Sequence, residues 1–414
     1  MTQHFDNLEL LPEPEDPNIL TAIDKDAPGY PGQFYGVSDK DAKILRRVFV
    51  PVKRFIWPWG ALAFTFFTAF LIIGWPFIDA FLSPYLPDSE WAYEDTGIRE
   101  IQDMGYLGEG IRVCMVDTGI DLNHPDLMHI SLSGFRDFYY NDHSNIRDIG
   151  DNSHGTLMSG ILLSNGTFTG AAPEISLSVA ISLGPSGKSG QEDMVSQAIR
   201  WCRITQDAHI ISLSLGANPG MGMDDESETV IAVQEALDDG IFVVAAAGNT
   251  GLDEEITDVS IPANIEGVIS VAATNKNGNI WKNSAFGSIT DSYTGEERLF
   301  PNQKPEISAP GVRLYSTYSS DSDSSLYAYS SGTSDSTVLV TGALALILER
   351  YYDEIAGEDG KIDYSEINRV KLALANSAIS DNQDAPHHPQ KGYGKLDVIS
   401  WSKEITIEFG IVDN

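Results

Sequence analysis

Cysteine is almost missing from these 414 residues: only Cys114 and Cys202 occur. Two thiols cannot reveal a redox compartment. Cys114 lies in an apolar run and Cys202 beside Trp201 in a helical pattern, so both are expected as buried free thiols that pack as small hydrophobes. Basic residues are also scarce, 26 against 60 acidic ones, for a formal charge of −34. Phosphate recognition needs clustered Lys and Arg, so nucleic acid is excluded as a partner. An acidic surface repels itself, which favours solubility, including in a salty medium that screens the repulsion. No internal repeat is apparent.

What is present suits an enzyme. Apolar residues make up 42% of the chain and aromatics 10%, enough for a large core. Residues 1–39 are rich in Pro, Gly, Asp and Glu and carry no period, reading as a flexible acidic tail. A basic patch follows (Lys40, Lys43, Arg46, Arg47, Lys53 and Arg54), and then Phe55 to Ile78 run without a charge. At about 1.5 Å per residue such a run spans a bilayer core of about 30 Å. Trp57, Trp59 and Trp75 near its ends suit the membrane interface. Lys and Arg precede the run but none follows until Arg99, so the tail is expected in the cytoplasm and the rest outside. The expected organisation is a tail over residues 1–54, a transmembrane helix over 55–82 and a catalytic domain over 83–414.

Beyond Gly97, strand-like runs (Arg112 to Val116, Ile175 to Ile181, Ile210 to Leu215, Ile241 to Ala246, Val268 to Ala272) alternate with helical ones such as Gln191 to Ile204 and Ser227 to Asp238. That alternation predicts an α/β fold with a mostly parallel sheet covered on both faces. Asp291 to Lys304 and Asp321 to Ser325 read as surface loops.

Three short runs carry the chemistry. Asp117 ends an apolar strand in Val116-Asp117-Thr118-Gly119, where a carboxylate can fix a histidine tautomer. His154 opens an apolar helix in Ser153-His154-Gly155-Thr156, well placed for a general base. Ser334 sits in Gly332-Thr333-Ser334-Asp335-Ser336 ahead of a buried helix from Val338 to Leu348, with an exposed hydroxyl and a helix N-terminus nearby. Each run alone is weak, an ordinary turn or a structural histidine. Asp, His and Ser in that chain order form a known solution to the nucleophilic triad. Asn249, closing Val243-Val244-Ala245-Ala246-Ala247-Gly248-Asn249, is a further candidate, for an oxyanion.

From about Trp91 to Ile405 the chain resembles the subtilisin-like serine proteases. The three runs match the family signatures in order, and Ser212-Leu213-Ser214-Leu215-Gly216, Gly187 to Gln191, Ala309-Pro310-Gly311 and Gly392-Tyr393-Gly394 match lesser landmarks. The resemblance implies a subtilisin-like three-layer fold, preceded here by one transmembrane helix. It implies Ser334 as nucleophile, His154 as general acid and base, Asp117 as its orienter, and Asn249 with the Ser334 N–H as oxyanion hole. Ser214, Leu215, Gly216 and Gly248 would line the cleft for an extended polypeptide substrate. The rival reading is a catalytically silent scaffold or binding subunit of a membrane assembly.

Departures from the family pattern are few. Val338 stands where proline is usual, Met158 where a small β-branched residue is usual, and Asp335 beside the nucleophile, where a carboxylate stabilises an imidazolium but repels an oxyanion. No cofactor is called for. The loop at Ser164 to Gly170 lacks calcium ligands, and in the EF-hand-like run Asp359 to Glu366 the first ligand positions would be Ile355 and Gly357, so no metal is expected. Only ten to fifteen residues separate the apolar run from the matching region, so folding without a prodomain is expected.

Overall fold

The strand-and-helix alternation is realised in a computed structural model that describes residues 59–60, 62–74, 88–187, 192–218, 227–291, 295–319, 325–357, 360–380 and 386–411. The chain divides into two units, Met1–Tyr85 and Leu86–Asn414. In the first, residues 59–60 and 62–74 are helical, and Phe64, Phe66, Phe67, Phe70, Ile72 and Ile73 are exposed. Among the described residues no helix is long and apolar enough to cross a membrane. The expected span 55–82 lies partly outside the described residues.

In the second unit β1 (Arg112–Asp117), β2 (Gly134–Asp137), β3 (Ser176–Ile181), β4 (Ile210–Leu213), β5 (Phe242–Ala246), β6 (Ile269–Thr274) and β7 (Ile307–Pro310) build one sheet. Its order is β2-β3-β1-β4-β5-β6-β7, parallel throughout. The central strands are buried along nearly their whole length, as expected of a parallel sheet with two covered faces.

Alternation along the strands assigns the two faces. On β1, Met115 meets Ser159 of the helix His154–Leu163, while Cys114 points to the helix Glu192–Ile204. On β4, Ser212 accepts a hydrogen bond from Thr341 of the long helix Thr333–Ile355 at 3.0 Å. Helices therefore lie on both sides of the sheet, giving three layers. Short helices Trp91–Asp95 and Ile98–Asp103 precede the sheet. In chain order the helices of this unit are α1 (Trp91–Asp95), α2 (Ile98–Asp103), α3 (His154–Leu163), α4 (Glu192–Ile204), α5 (Glu228–Asp238), α6 (Thr333–Ile355), α7 (Tyr364–Ser377) and α8 (Val398–Phe409).

The expectation of free thiols is wrong. Cys114 and Cys202 form a disulfide tying β1 to α4, with Cα atoms 5.7 Å apart. The sequence places one on a strand and one on a helix 88 residues later. Only the packing of α4 on the Cys114 face of β1 reveals that they meet. Residues 307–310 and the antiparallel hairpin of β8 (Val312–Thr317) and β9 (Tyr327–Ser331) are strands that periodicity did not disclose. The EF-hand-like run is a helix start: the Asp363 carboxylate accepts from the N–H groups of Ser365 and Glu366, and Glu366 accepts from the Asp363 N–H, a capping box for α7.

Candidate active site

The chain leaves β1, builds β2 and β3 on one side, then crosses to build β4 on the other, so the carboxyl end of β1 is the topological switch point. Such points host ligands in parallel sheets. Asp117 is the last residue of β1 and is fully buried. His154 is the first residue of α3, preceded by Ser153 in the left-handed region at φ 49°. Glycine brings the two together. A Cβ on Gly155 would lie 2.0 Å from the Gly119 carbonyl oxygen, so only a bare backbone lets the start of α3 press against the Asp117-Thr118-Gly119 turn.

At that contact His154 Nδ1 lies 2.7 Å from Asp117 Oδ1. The same oxygen accepts from the Thr118 N–H at 2.7 Å. A carboxylate acceptor places the proton on Nδ1 and leaves Nε2 as a base. The His154 side chain keeps 29% of its surface exposed, toward the cleft. Burial pulls its proton affinity down, but Asp117, then Asp335 and Asp148, raise its pKa to about 9.

Asp148, which no motif disclosed, holds the two turns in place. Its Oδ1 accepts from Thr118 Oγ1 at 2.7 Å and the Gly150 N–H at 2.9 Å. Its Oδ2 accepts from Thr156 Oγ1 at 2.6 Å and the Thr156 N–H at 2.8 Å. Thr118 Oγ1 accepts in turn from the Gly155 N–H at 2.9 Å. Burial pushes the Asp148 carboxyl up, opposed by these donors. The only signal in sequence is its position six residues before His154, too generic to single it out.

Ser334 stands in the first turn of α6, 8% exposed, its Oγ donating to the Ser214 carbonyl at 3.3 Å. The turn is pinned from behind, where Ser336 Oγ donates to the Ala309 and Pro310 carbonyls at 3.0 and 3.1 Å. A Cβ on Gly311 would fall 2.1 Å from Ser336 Oγ, which accounts for the small residue in Ala309-Pro310-Gly311. Asn249 is fixed by its amide oxygen, which accepts from the Thr333 N–H at 3.1 Å and Thr333 Oγ1 at 3.0 Å. Its Nδ2 is thereby directed away from Thr333. A Cβ built on Gly332 would be 3.4 Å from Asp335 Oδ2 and 3.6 Å from both Asn249 Nδ2 and the Ser334 N, so both nitrogens and the Asp335 carboxylate border one region.

His154, Ser334, Asn249, Ser214, Leu215, Gly216 and Gly248 all line one open cleft of about 410 Å³ at the carboxyl edge of the sheet. Asp117 lies behind His154, outside the lining. Gly187 also lines the cleft, and residues 188–191 of the opposing edge lie outside the described residues. No charged side chain other than His154 lines the cleft among the described residues. Val338 and Met158 are both fully buried, packing positions without contact to the cleft. Among the described residues no group of three or more His, Cys, Asp or Glu could hold a metal ion.

A three-layer α/β domain whose cleft holds a histidine paired to a buried aspartate, a serine at a helix start and an asparagine amide fits a hydrolase of the acyl-transfer type. Comparison with known proteins narrows this. Residues 108–395 match the model of the subtilase family. The chain is 34% identical over 260 residues to the major intracellular serine protease of Bacillus subtilis, covering 62% of this chain and 73% of that protein. It is 35% identical over 264 residues to a thermostable alkaline protease of Halalkalibacterium halodurans, covering 63% of each. Against subtilisin DY of Bacillus licheniformis it is 35% identical over 258 residues, 61% of this chain and 81% of the relative. The chain belongs to the subtilase family and is a subtilisin-like serine endopeptidase.

Proposed function

We propose that this protein hydrolyses peptide bonds through Ser334, His154 and Asp117 by way of an acyl-enzyme. Ser334 Oγ releases the Ser214 carbonyl and turns to His154 Nε2, which takes its proton as Oγ attacks the scissile carbonyl carbon. The negative charge formed on the carbonyl oxygen is met by Asn249 Nδ2 and the Ser334 N–H. His154 then returns the proton to the leaving amine, and Asp117 stabilises the imidazolium between the two transfers. Water repeats the sequence against the acyl-enzyme, releasing the acid and restoring Ser334. The extended segment Ser214 to Gly216, with Gly248 opposite, offers main-chain groups on which a substrate adds as a strand.

The observation that carries this reading is the 2.7 Å contact with buried Asp117 made by His154, which lines the same cleft as Ser334 and Asn249. A silent scaffold would need none of the donors fixed around it. A fluorophosphonate probe should label the folded protein and fail to label Ser334→Ala of unchanged melting temperature. Folded wild-type protein that neither reacts with the probe nor cleaves an unstructured polypeptide would overturn the proposal.

The reading extends to location. An uncharged run from Phe55 to Ile78 behind six basic residues supports a single membrane span over 55–82, with a cytoplasmic tail over 1–54 and the catalytic domain over 83–414 outside. The Cys114–Cys202 disulfide supports an oxidising compartment for that domain. Carbonate-resistant partition with the membrane fraction, and protease sensitivity of the catalytic domain in intact cells, test it.

A further inference from the structure

The residue after the nucleophile is an acid, and the fold gives it an unusual setting. Asp335 lies in the first turn of α6 and is 1% exposed. Its Oδ2 accepts from Ser330 Oγ at 3.1 Å. Its Oδ1 is buried with no hydrogen-bond partner among the described residues. Two other acids of this domain are better supplied: the partly buried Asp148 collects four donors, and the buried Asp258 receives both arms of Arg298 at 2.9 and 2.7 Å. Asp117 also keeps one buried oxygen, Oδ2, without a partner among the described residues, but its Oδ1 meets His154 directly. No Lys or Arg pairs with Asp335 among the described residues.

The charges that face it are few. Its Oδ2 would stand 3.4 Å from a Cβ on Gly332, a point 3.6 Å from both Asn249 Nδ2 and the Ser334 N, so the carboxylate borders the cleft that these residues share with His154. The titratable groups it senses are His154 from α3 and Tyr93 from α1, whose hydroxyl donates to the Ile161 carbonyl at 3.3 Å and is already engaged. From β9 comes only the Ser330 hydroxyl. His154 itself is faced by Asp117 from β1, Asp148 from the preceding loop and Asp335 from α6. An unpaired carboxylate in a dry site gains most from the one group that can become a cation beside it.

We propose that Asp335 tunes the proton on His154: its buried negative charge holds the imidazolium, and so fixes how alkaline the medium must be before His154 can act as a base. The inference rests on the reading of His154 as general base. Asp335 acts through that histidine and is a positioning residue, not a catalytic one. Two further facts agree. Burial pushes the Asp335 carboxyl up to about 7, against the Ser330 hydrogen bond, His154 and its own backbone N–H, so its charge is half formed near neutral pH, complete in the alkaline range and lost below. His154, raised to about 9, must lose its proton in the range where Asp335 is charged.

The test compares wild type with Asp335→Asn, which keeps shape and removes the charge. One measurement is kcat/KM on an unstructured peptide over about pH 5 to 10. The other is the imidazole titration of His154 by NMR in Ser334→Ala, with and without Asp335→Asn. The acid limb and the imidazole midpoint should both move down by about one pH unit or more. On the acid side that is about a tenfold gain in kcat/KM. Asp335→Ser serves the same purpose should the asparagine variant fail to fold, and Asp335→Glu should restore part of the alkaline midpoint. A folded uncharged variant whose midpoint and limb stay where the wild type has them overturns the inference. Protein without Ser334-dependent cleavage would instead overturn the proposed activity, and the imidazole titration would still decide the role of Asp335.

Discussion

At the residue scale, each candidate side chain was legible because the chemistry demands a recognisable neighbour: a strand before Asp117, a helix after His154, small residues around Ser334. What fixes each in position was not. Thr333 orients Asn249 through bonds of 3.0 and 3.1 Å, and nothing in Gly332-Thr333-Ser334 says that its partner lies 84 residues upstream. Asn249→Ala should lower kcat by about 10² to 10³ with little change in KM, the magnitude known for subtilisin's own asparagine donor. Steady-state kinetics on one peptide decides it, and a loss confined to KM would mean that Nδ2 does not meet the developing charge.

At the scale of elements, the local periods found the central strands and helices to within a few residues. They missed the four-residue β2, β7 and the β8–β9 hairpin, strands too short or too rich in Gly, Pro and Ser to show a period, whose partners are set by tertiary pairing. The disulfide belongs here too. It closes a separation of 88 residues, for which chain entropy suggests about 3 to 5 kcal/mol of stabilisation. Replacing both cysteines by serine should lower the denaturant midpoint accordingly, with the slope measured alongside.

Another buried group links β6, β7 and α7. The ammonium groups of Lys304 and Lys371 share Glu306 Oε1, at 2.7 and 2.9 Å, and the Val268 carbonyl, at 2.8 and 3.1 Å; Lys371 also donates to Asn302 Oδ1. Burial lowers the Lys304 pKa to about 7, opposed by Glu306 and aided by Lys371. The unfolded chain, with its lysine near 10.5, then binds more protons than the folded one between about pH 7 and 10.5. This group therefore makes stability rise with pH across that window, and stability is lost as pH falls through it. Lys304→Met should flatten the rise of unfolding free energy between those limits. Parallel pH profiles for the two proteins would reject the assignment.

At the scale of the whole molecule, charge dominates. With a formal −34 the acidic surface repels itself, and added salt screens that repulsion. The melting temperature should therefore climb as sodium chloride rises from low to about 1 M, where the screening length falls to about 3 Å. Salt-independent melting across that series would show that the repulsion is too dispersed to matter. The same excess of acid makes Asp335 notable, since most of the described carboxylates are at least partly exposed and this one is sealed beside Ser334.

The amino-acid order by itself determined the parallel α/β class, the three runs proposed to carry the catalysis and the family they belong to. Each is written in a local period or a short motif that a few neighbouring residues suffice to specify. Only the tertiary structure decided that Cys114 meets Cys202, that Asp148 clamps the turns carrying Thr118 and Thr156, and that Asp335 is buried with an oxygen unpartnered among the described residues. Those facts depend on which face of one element packs on another, a contact between residues far apart in the chain that no local pattern encodes.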